Sequence, residues 1–285
     1  MSILQRVIVV TVSIVLAACG GGGSSSSPVA TTPPTTPTGP TTPGDPTPPV
    51  VTPPTVAACA APTTNQAQVL FDKTPMLAIC DGVYVEPTAT ADDQLALRQS
   101  VAGAYTTVTK FYGEFTAPHP QMIFCQTQAC RAYFMGSYAG VYSPLGFKLP
   151  NATFIAGKPT IFVTYTSFVG QAHSLTVSHE LTHAETLYRY GGGGVPSWFN
   201  EGIATLVGNY PDCTSQTANY VADFRTADFE AAVADSSKGD AIYCQASREV
   251  NAWIVANGKP KLFDLLAGVK AGNQFYTLYG NLINH

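Results

Sequence analysis

An α+β fold is predicted for this chain, because the spacing of its apolar residues switches between strand and helix periods through the middle and then stays helical to the end. Length and cysteine usage point to one folded unit. Residues 63–285 are one domain's worth of chain, enough for a sizeable core, and six of the seven cysteines lie between Cys59 and Cys244. Charge narrows the partners. Fourteen Lys and Arg against eighteen Asp and Glu give a formal net charge of −4, and without a basic stripe this argues against nucleic-acid binding.

At the amino terminus, Met1–Gln5 is short, Arg6 supplies one positive charge and Val7–Ala18 is an apolar run of signal-peptide length. A membrane span would need about 20 residues. Leu16-Ala17-Ala18-Cys19 resembles a bacterial lipobox, which implies removal of residues 1–18 and acylation of Cys19 as the first residue of the mature chain. The resemblance implies a lipid bilayer as partner and the cell envelope as location. Gly20, where Asp would signal retention at the inner membrane, implies the outer membrane. Residues 19–62 are Gly/Ser-rich and then Pro/Thr-rich, with too little apolar surface to offset ordering entropy, so a disordered or polyproline-like tether is expected. About forty residues at ~3.1 Å each could hold a domain roughly 120 Å from a membrane.

Within residues 63–285, Val83–Glu86 reads as a short strand. Asp92–Phe115 reads as a helix whose apolar side carries Leu95, Leu97, Val101, Ala104, Tyr105, Val108 and Phe111. Gln121–Cys125 follows as a strand, Thr127–Met135 as a short helix and Gly136–Pro150 as a loop. Thr153–Ala156 and Thr160–Tyr165 flank Gly157-Lys158-Pro159 in a hairpin pattern. Gln171–Tyr190 is helical by the spacing of Leu175, Leu181, Ala184, Leu187 and Tyr188, and the Gly191–Gly194 run ends it. Pro196 or Ser197 opens another helix. The last third is predicted as helices over Ser215–Ala234, Asp240–Ala256, Pro260–Val269 and Gln274–Leu282. An even number of cysteines in an exported chain reads as three disulfides. Fifteen pairings are open; proximity favours Cys59 with Cys80, Cys125 with Cys130, and Cys213 with Cys244.

The chemistry-bearing feature is His179-Glu180-Leu181-Thr182-His183, followed by Trp198-Phe199-Asn200-Glu201-Gly202. Residues four apart on a helix share one face, so His179 and His183 can close on one metal ion. Glu180 then stands beside the first ligand, where a carboxylate can accept a proton from a water at the metal. A short glycine loop lets the next helix fold back and bring Glu201 to the same ion. His179, His183 and Glu201 form a His2Glu set with one position open, the arrangement expected of a single catalytic Zn2+. Glu185, on another helix face, reads as a solvated or supporting carboxylate. His119 and His285 read as incidental surface residues.

HELTH with seventeen residues before Glu201, and the stretch Pro196-Ser197-Trp198-Phe199-Asn200-Glu201-Gly202-Ile203-Ala204, resemble the gluzincin metallopeptidases of the peptidase MA-like superfamily. The likeness implies a thermolysin-like zincin domain: a small mixed sheet with an edge strand, the HExxH helix, a glutamate helix and a helical C-terminal part. It implies zinc-dependent hydrolysis of a peptide or protein substrate, with Glu180 as general base. By the same likeness Ile161–Thr166 is a candidate edge strand for extended substrate, with a plain core strand as the alternative. Tyr243 is the candidate donor to the oxyanion, with Tyr188, Tyr190 and His173 as rivals. The chain departs from the pattern at three points. It lacks a Gly-Ala-Met-Glu-Asn string, it lacks the third His of metzincins, and Thr205 stands where thermolysin-like enzymes carry an Asp that supports a histidine. A metal-stabilised cell-envelope binding or assembly protein with weak or no turnover is the alternative, and hydrolysis of a non-peptide amide is a third reading.

Overall fold

The structure is a computed structural model that describes residues 59, 68–71, 74–134, 140–143, 159–164, 172–234 and 238–280. The signal, tether and Cys19 readings lie outside the described residues, as do Thr153–Ala156 and His285. Six strands form one mixed sheet, with helices making up most of the rest, so the α+β class holds. The strands are β1 (Gln68–Phe71), β2 (Thr74–Cys80), β3 (Val83–Val85), β4 (Gln121–Cys125), β5 (Gly140–Ser143) and β6 (Thr160–Thr164), in the spatial order β1-β2-β3-β4-β6-β5. β3, β4 and β6 run parallel; β1–β2, β2–β3 and β5–β6 pair antiparallel.

Period-two alternation places each β4 residue on a defined face. Met122 and Phe124 join the large core beneath helices α1 (Ala91–Tyr112) and α3 (Ala172–Tyr190). Ile123 and Cys125 join a smaller cluster on the opposite face, with Cys130 and Phe134 of α2 (Gln128–Phe134). Both faces are covered, so β4 carries apolar residues at successive positions.

α1 starts at a capping box. The Asp93 N–H donates to Thr90 Oγ1 at 3.2 Å, and the Thr90 N–H donates to Asp93 Oδ2 at 2.9 Å. Its last residue is Tyr112, and Gly113, with a φ of 87°, closes the helix three residues earlier than expected. Leu97, Val101, Ala104, Tyr105 and Val108 are buried as their spacing requires, but Leu95 is 48 % exposed. Two residues correspond to about 200° around a helix, so Leu95 and Leu97 cannot share a face.

Three expectations are corrected here. β6 is hydrogen-bonded on both sides, by β4 and β5, and is therefore an internal strand; the outer position belongs to β5, inside the segment expected to be a loop. Residues 215–228 hold no helix, and only α5 (Phe229–Ala234) forms at the end of that stretch. The reason is the side chain of Gln245 in α6 (Gly239–Asn257). Its Oε1 accepts from the Tyr220 and Val221 N–H groups at 2.8 and 2.9 Å, and its Nε2 donates to the Val221 carbonyl at 2.6 Å, replacing helical bonds with tertiary ones. The last predicted helix is confined, among the described residues, to α8 (Phe275–Tyr279), which follows α7 (Lys259–Lys270). The three expected disulfides are present: Cys59–Cys80, Cys125–Cys130 and Cys213–Cys244.

Candidate metal centre

α3 is held against the rest of the molecule by polar anchors on the side away from the histidines. The Glu185 carboxylate, fully buried, accepts from the Thr116 N–H (2.8 Å), Thr116 Oγ1 (2.7 Å), the Ala117 N–H (2.9 Å) and Arg189 Nε (2.7 Å). It is neither solvated nor a support for a histidine. Its task is to pin the loop after α1 to α3. Tyr112 and Thr186 share a hydroxyl hydrogen bond at 2.6 Å, a second link between α1 and α3.

After Tyr190 the chain reverses through Gly191, Gly192 and Gly194, all with φ between 81° and 87°, a conformation only glycine adopts without strain. This short turn lets α4 (Ser197–Gly208) pack back on α3. Pro196 is its N-cap, and Glu201 falls one turn into the helix. Beside it, Gly202 faces α6 so closely that a Cβ would meet the Ala246 carbonyl oxygen at 2.7 Å. The missing side chain allows α6, and Tyr243 on it, to close over the centre.

The three expected ligands converge. His179 Nε2 and His183 Nε2 lie 3.0 Å apart, and Glu201 Oε2 lies 3.1 Å from the first and 3.4 Å from the second. Nitrogen and oxygen ligands at about 2.0–2.1 Å from a tetrahedral zinc are separated by roughly 3.3–3.4 Å, so the donor triangle matches the face of such an ion. Two imidazole nitrogens aimed at each other and at one carboxylate oxygen have a use for a shared cation. Among the described residues this is the single His/Cys/Asp/Glu group able to hold one.

The electrostatics agree with a tightly coupled site. Burial works against a charged His183 ring, but the Glu201 carboxylate beside it prevails and raises the pKa to about 9. Burial likewise opposes the charge on Glu201, and the His183 and His179 rings outweigh it, holding the carboxyl well below its usual range. A metal ion would take the place of the shared proton.

Glu180, next to His179, is buried and acts electrostatically on His183, Tyr210 and Tyr243, which puts its carboxylate on the same side as the ligands. The Tyr243 ring lies 6.4 Å from that of His179, and burial, with Glu201, Glu230 and Glu180 nearby, raises its pKa so that the phenol stays protonated. Tyr210, not singled out in the sequence, is closer still at 5.7 Å, and burial, with Glu180, Glu201 and Asp240 nearby, raises its pKa as well. It is placed there by Asn209, whose left-handed φ of 55° turns the chain back at the end of α4. Tyr188 is 47 % exposed beneath Lys270, and Tyr190 packs in the core at the far end of α3, so neither flanks the histidines. The His173 side chain lies outside the described residues. His119 is exposed and stacks on Tyr105 at 5.0 Å, a surface residue as expected.

The outer nitrogens of the two ligands are less well supplied. Nδ1 of His179 and of His183 are buried with no hydrogen-bond partner, and Thr205 does not replace the Asp found in thermolysin-like enzymes. The Asn200 carboxamide stands near His183 and favours its charged form, yet its buried Oδ1 makes no hydrogen bond of good geometry. That neighbour was not foreseen either.

The chain matches no family model, and neither curated proteins nor solved structures give a match. No helix among the described residues is long and apolar enough to cross a membrane.

Proposed function

We propose that the protein is a zinc-dependent hydrolase, and more particularly a gluzincin-like metallopeptidase tethered to the bacterial cell envelope through acylated Cys19. One observation carries the reading: His179 Nε2, His183 Nε2 and Glu201 Oε2 form a triangle of 3.0–3.4 Å sides, with Glu180 on the same helix beside it. A structural zinc site has no need of that second carboxylate.

Bound at these three residues, zinc would supply acidification of a water and polarisation of a carbonyl. Glu180 accepts the water's proton and delivers it to the departing amine nitrogen, so that one carboxylate serves as base and then as acid. Tyr243, kept protonated, donates a hydrogen bond to the substrate oxygen as negative charge builds there. Extended substrate would add to the sheet at β5, the outer strand beside β6, rather than at β6 itself.

The full chain is expected to bind about one zinc and to cleave a mixed peptide library in a chelator-sensitive way. Glu180→Gln should keep the zinc and lose at least about 100-fold in rate. Undiminished turnover in that variant would refute the mechanism, and zinc-replete protein that cleaves nothing would favour a binding or assembly role.

A further inference from the structure

A cleft of about 300 Å³ opens one helical turn from the metal centre. Its position follows from α4. Ser197, at the cleft, and Glu201, at the centre, are four residues apart and therefore share a face about 6 Å apart along the helix axis. On the opposite wall, the Phe229 ring contacts that of Tyr243 at 5.9 Å, so the wall of the cleft backs directly onto the wall of the centre.

The lining combines two chemistries. The floor is aromatic: Trp198 and Phe224 stack at 5.0 Å, and Trp198 Nε1 donates to the Tyr276 hydroxyl, which in turn donates to the Phe224 carbonyl. The polar ends of these rings are thus satisfied among themselves. The mouth is acidic, with Asp228 exposed and Glu230 half-buried against the Ser197 hydroxyl. Asp228 is partly occupied in capping α5, since its Oδ1 accepts from the Ala231 N–H. Arg225 also lines the cleft, but its guanidinium is committed to Asp223 through three contacts of 2.8–3.2 Å. Among the described residues no salt bridge ends on Glu230 or Asp228.

We propose that this cleft is a substrate subsite for a cationic side chain on an apolar stem, of the lysine or arginine kind, with the Glu230 carboxylate taking the charge and the aromatic floor taking the stem. Burial, followed by the neighbouring Glu201 and Asp228 carboxylates, disfavours a charged Glu230, and a cation entering the cleft removes that penalty. A neutral stem without a charge would fill the floor but leave the carboxylate unpaired, which is the basis of discrimination.

The assignment rests on the metallopeptidase reading, and the test keeps the two apart. Zinc-loaded full chain is given a peptide library, and then paired peptides that differ only by Lys or norleucine at the selected position. Lys or Arg is expected at one fixed distance from the cut, with kcat/KM about tenfold higher for Lys than for norleucine. The ratio should fall toward one in Glu230→Gln and turn against basic residues in Glu230→Lys. Cleavage with no basic preference, or a preference that Glu230→Gln leaves intact, overturns the subsite while sparing the hydrolase. If nothing is cleaved, the hydrolase reading fails and calorimetry with lysine-rich and norleucine-rich peptides decides the cleft: tighter lysine binding lost in Glu230→Gln supports it, and equal binding overturns it.

Discussion

Glu185 and Glu201 are both buried carboxylates that meet α3, one on the helix itself and one reaching it from α4, and their surroundings differ in completeness. Glu185 accepts from four donors, and its partner Arg189 is in turn covered by the Tyr112 and Phe263 rings at 4.9 and 5.2 Å. Every charge there has an answer within the chain. Glu201 faces two imidazoles whose inner nitrogens crowd together and whose outer nitrogens are buried without partners. Burial is tolerated at the first place because it is satisfied; at the second, the proposed cation would answer the two inner nitrogens and the Glu201 oxygen, though not the outer nitrogens. The comparison separates a residue that holds the fold from one that serves the site, although both are acidic, buried and adjacent to the same helix.

The sharpest way to break that contrast is at Glu185. Its replacement by Ala strips four donors of their acceptor and should cost about 3 kcal/mol, lowering Tm by roughly 6–12 °C, while the folded protein keeps its zinc. Loss of zinc with an unchanged melting curve would place Glu185 in the site instead. Next in size is Tyr243→Phe, which removes one hydroxyl from the other side of the comparison. A drop of about 100-fold in kcat with KM and zinc content preserved is expected, and a change confined to KM would assign the ring to substrate binding. The smallest effect belongs to Asn200→Ala. If the carboxamide orients His183, zinc affinity measured by chelator competition should weaken about tenfold; unaltered affinity would leave the imidazole to be held by packing alone.

How much of this was legible depends on how local each cause is. The pair His179 and His183 is fixed by helical spacing, and Glu201 by a glycine turn too short to carry the next helix elsewhere, so both could be read along the chain. The disulfides joined the nearest cysteines. β5 was not legible, because four residues among Tyr, Gly and Pro become a strand only when β6 offers an edge. The same holds for residues 215–228, whose conformation is imposed by Gln245 and by Arg248, which donates to the Gln216 and Ala218 carbonyls from α6. Tyr210 and Asn200 belong to the centre through tertiary placement, and nothing in their spacing marked them.

The Cys213–Cys244 link joins two neighbourhoods that matter for chemistry: Cys213 follows Tyr210 by three residues, and Cys244 follows Tyr243 directly. The three candidate ligands sit on α3 and α4, outside that loop. In a reducing compartment the ligand triangle could still form while the tyrosine wall beside it was left untethered. If the chain is exported, as proposed above, oxidation of this pair would be the last step of assembly.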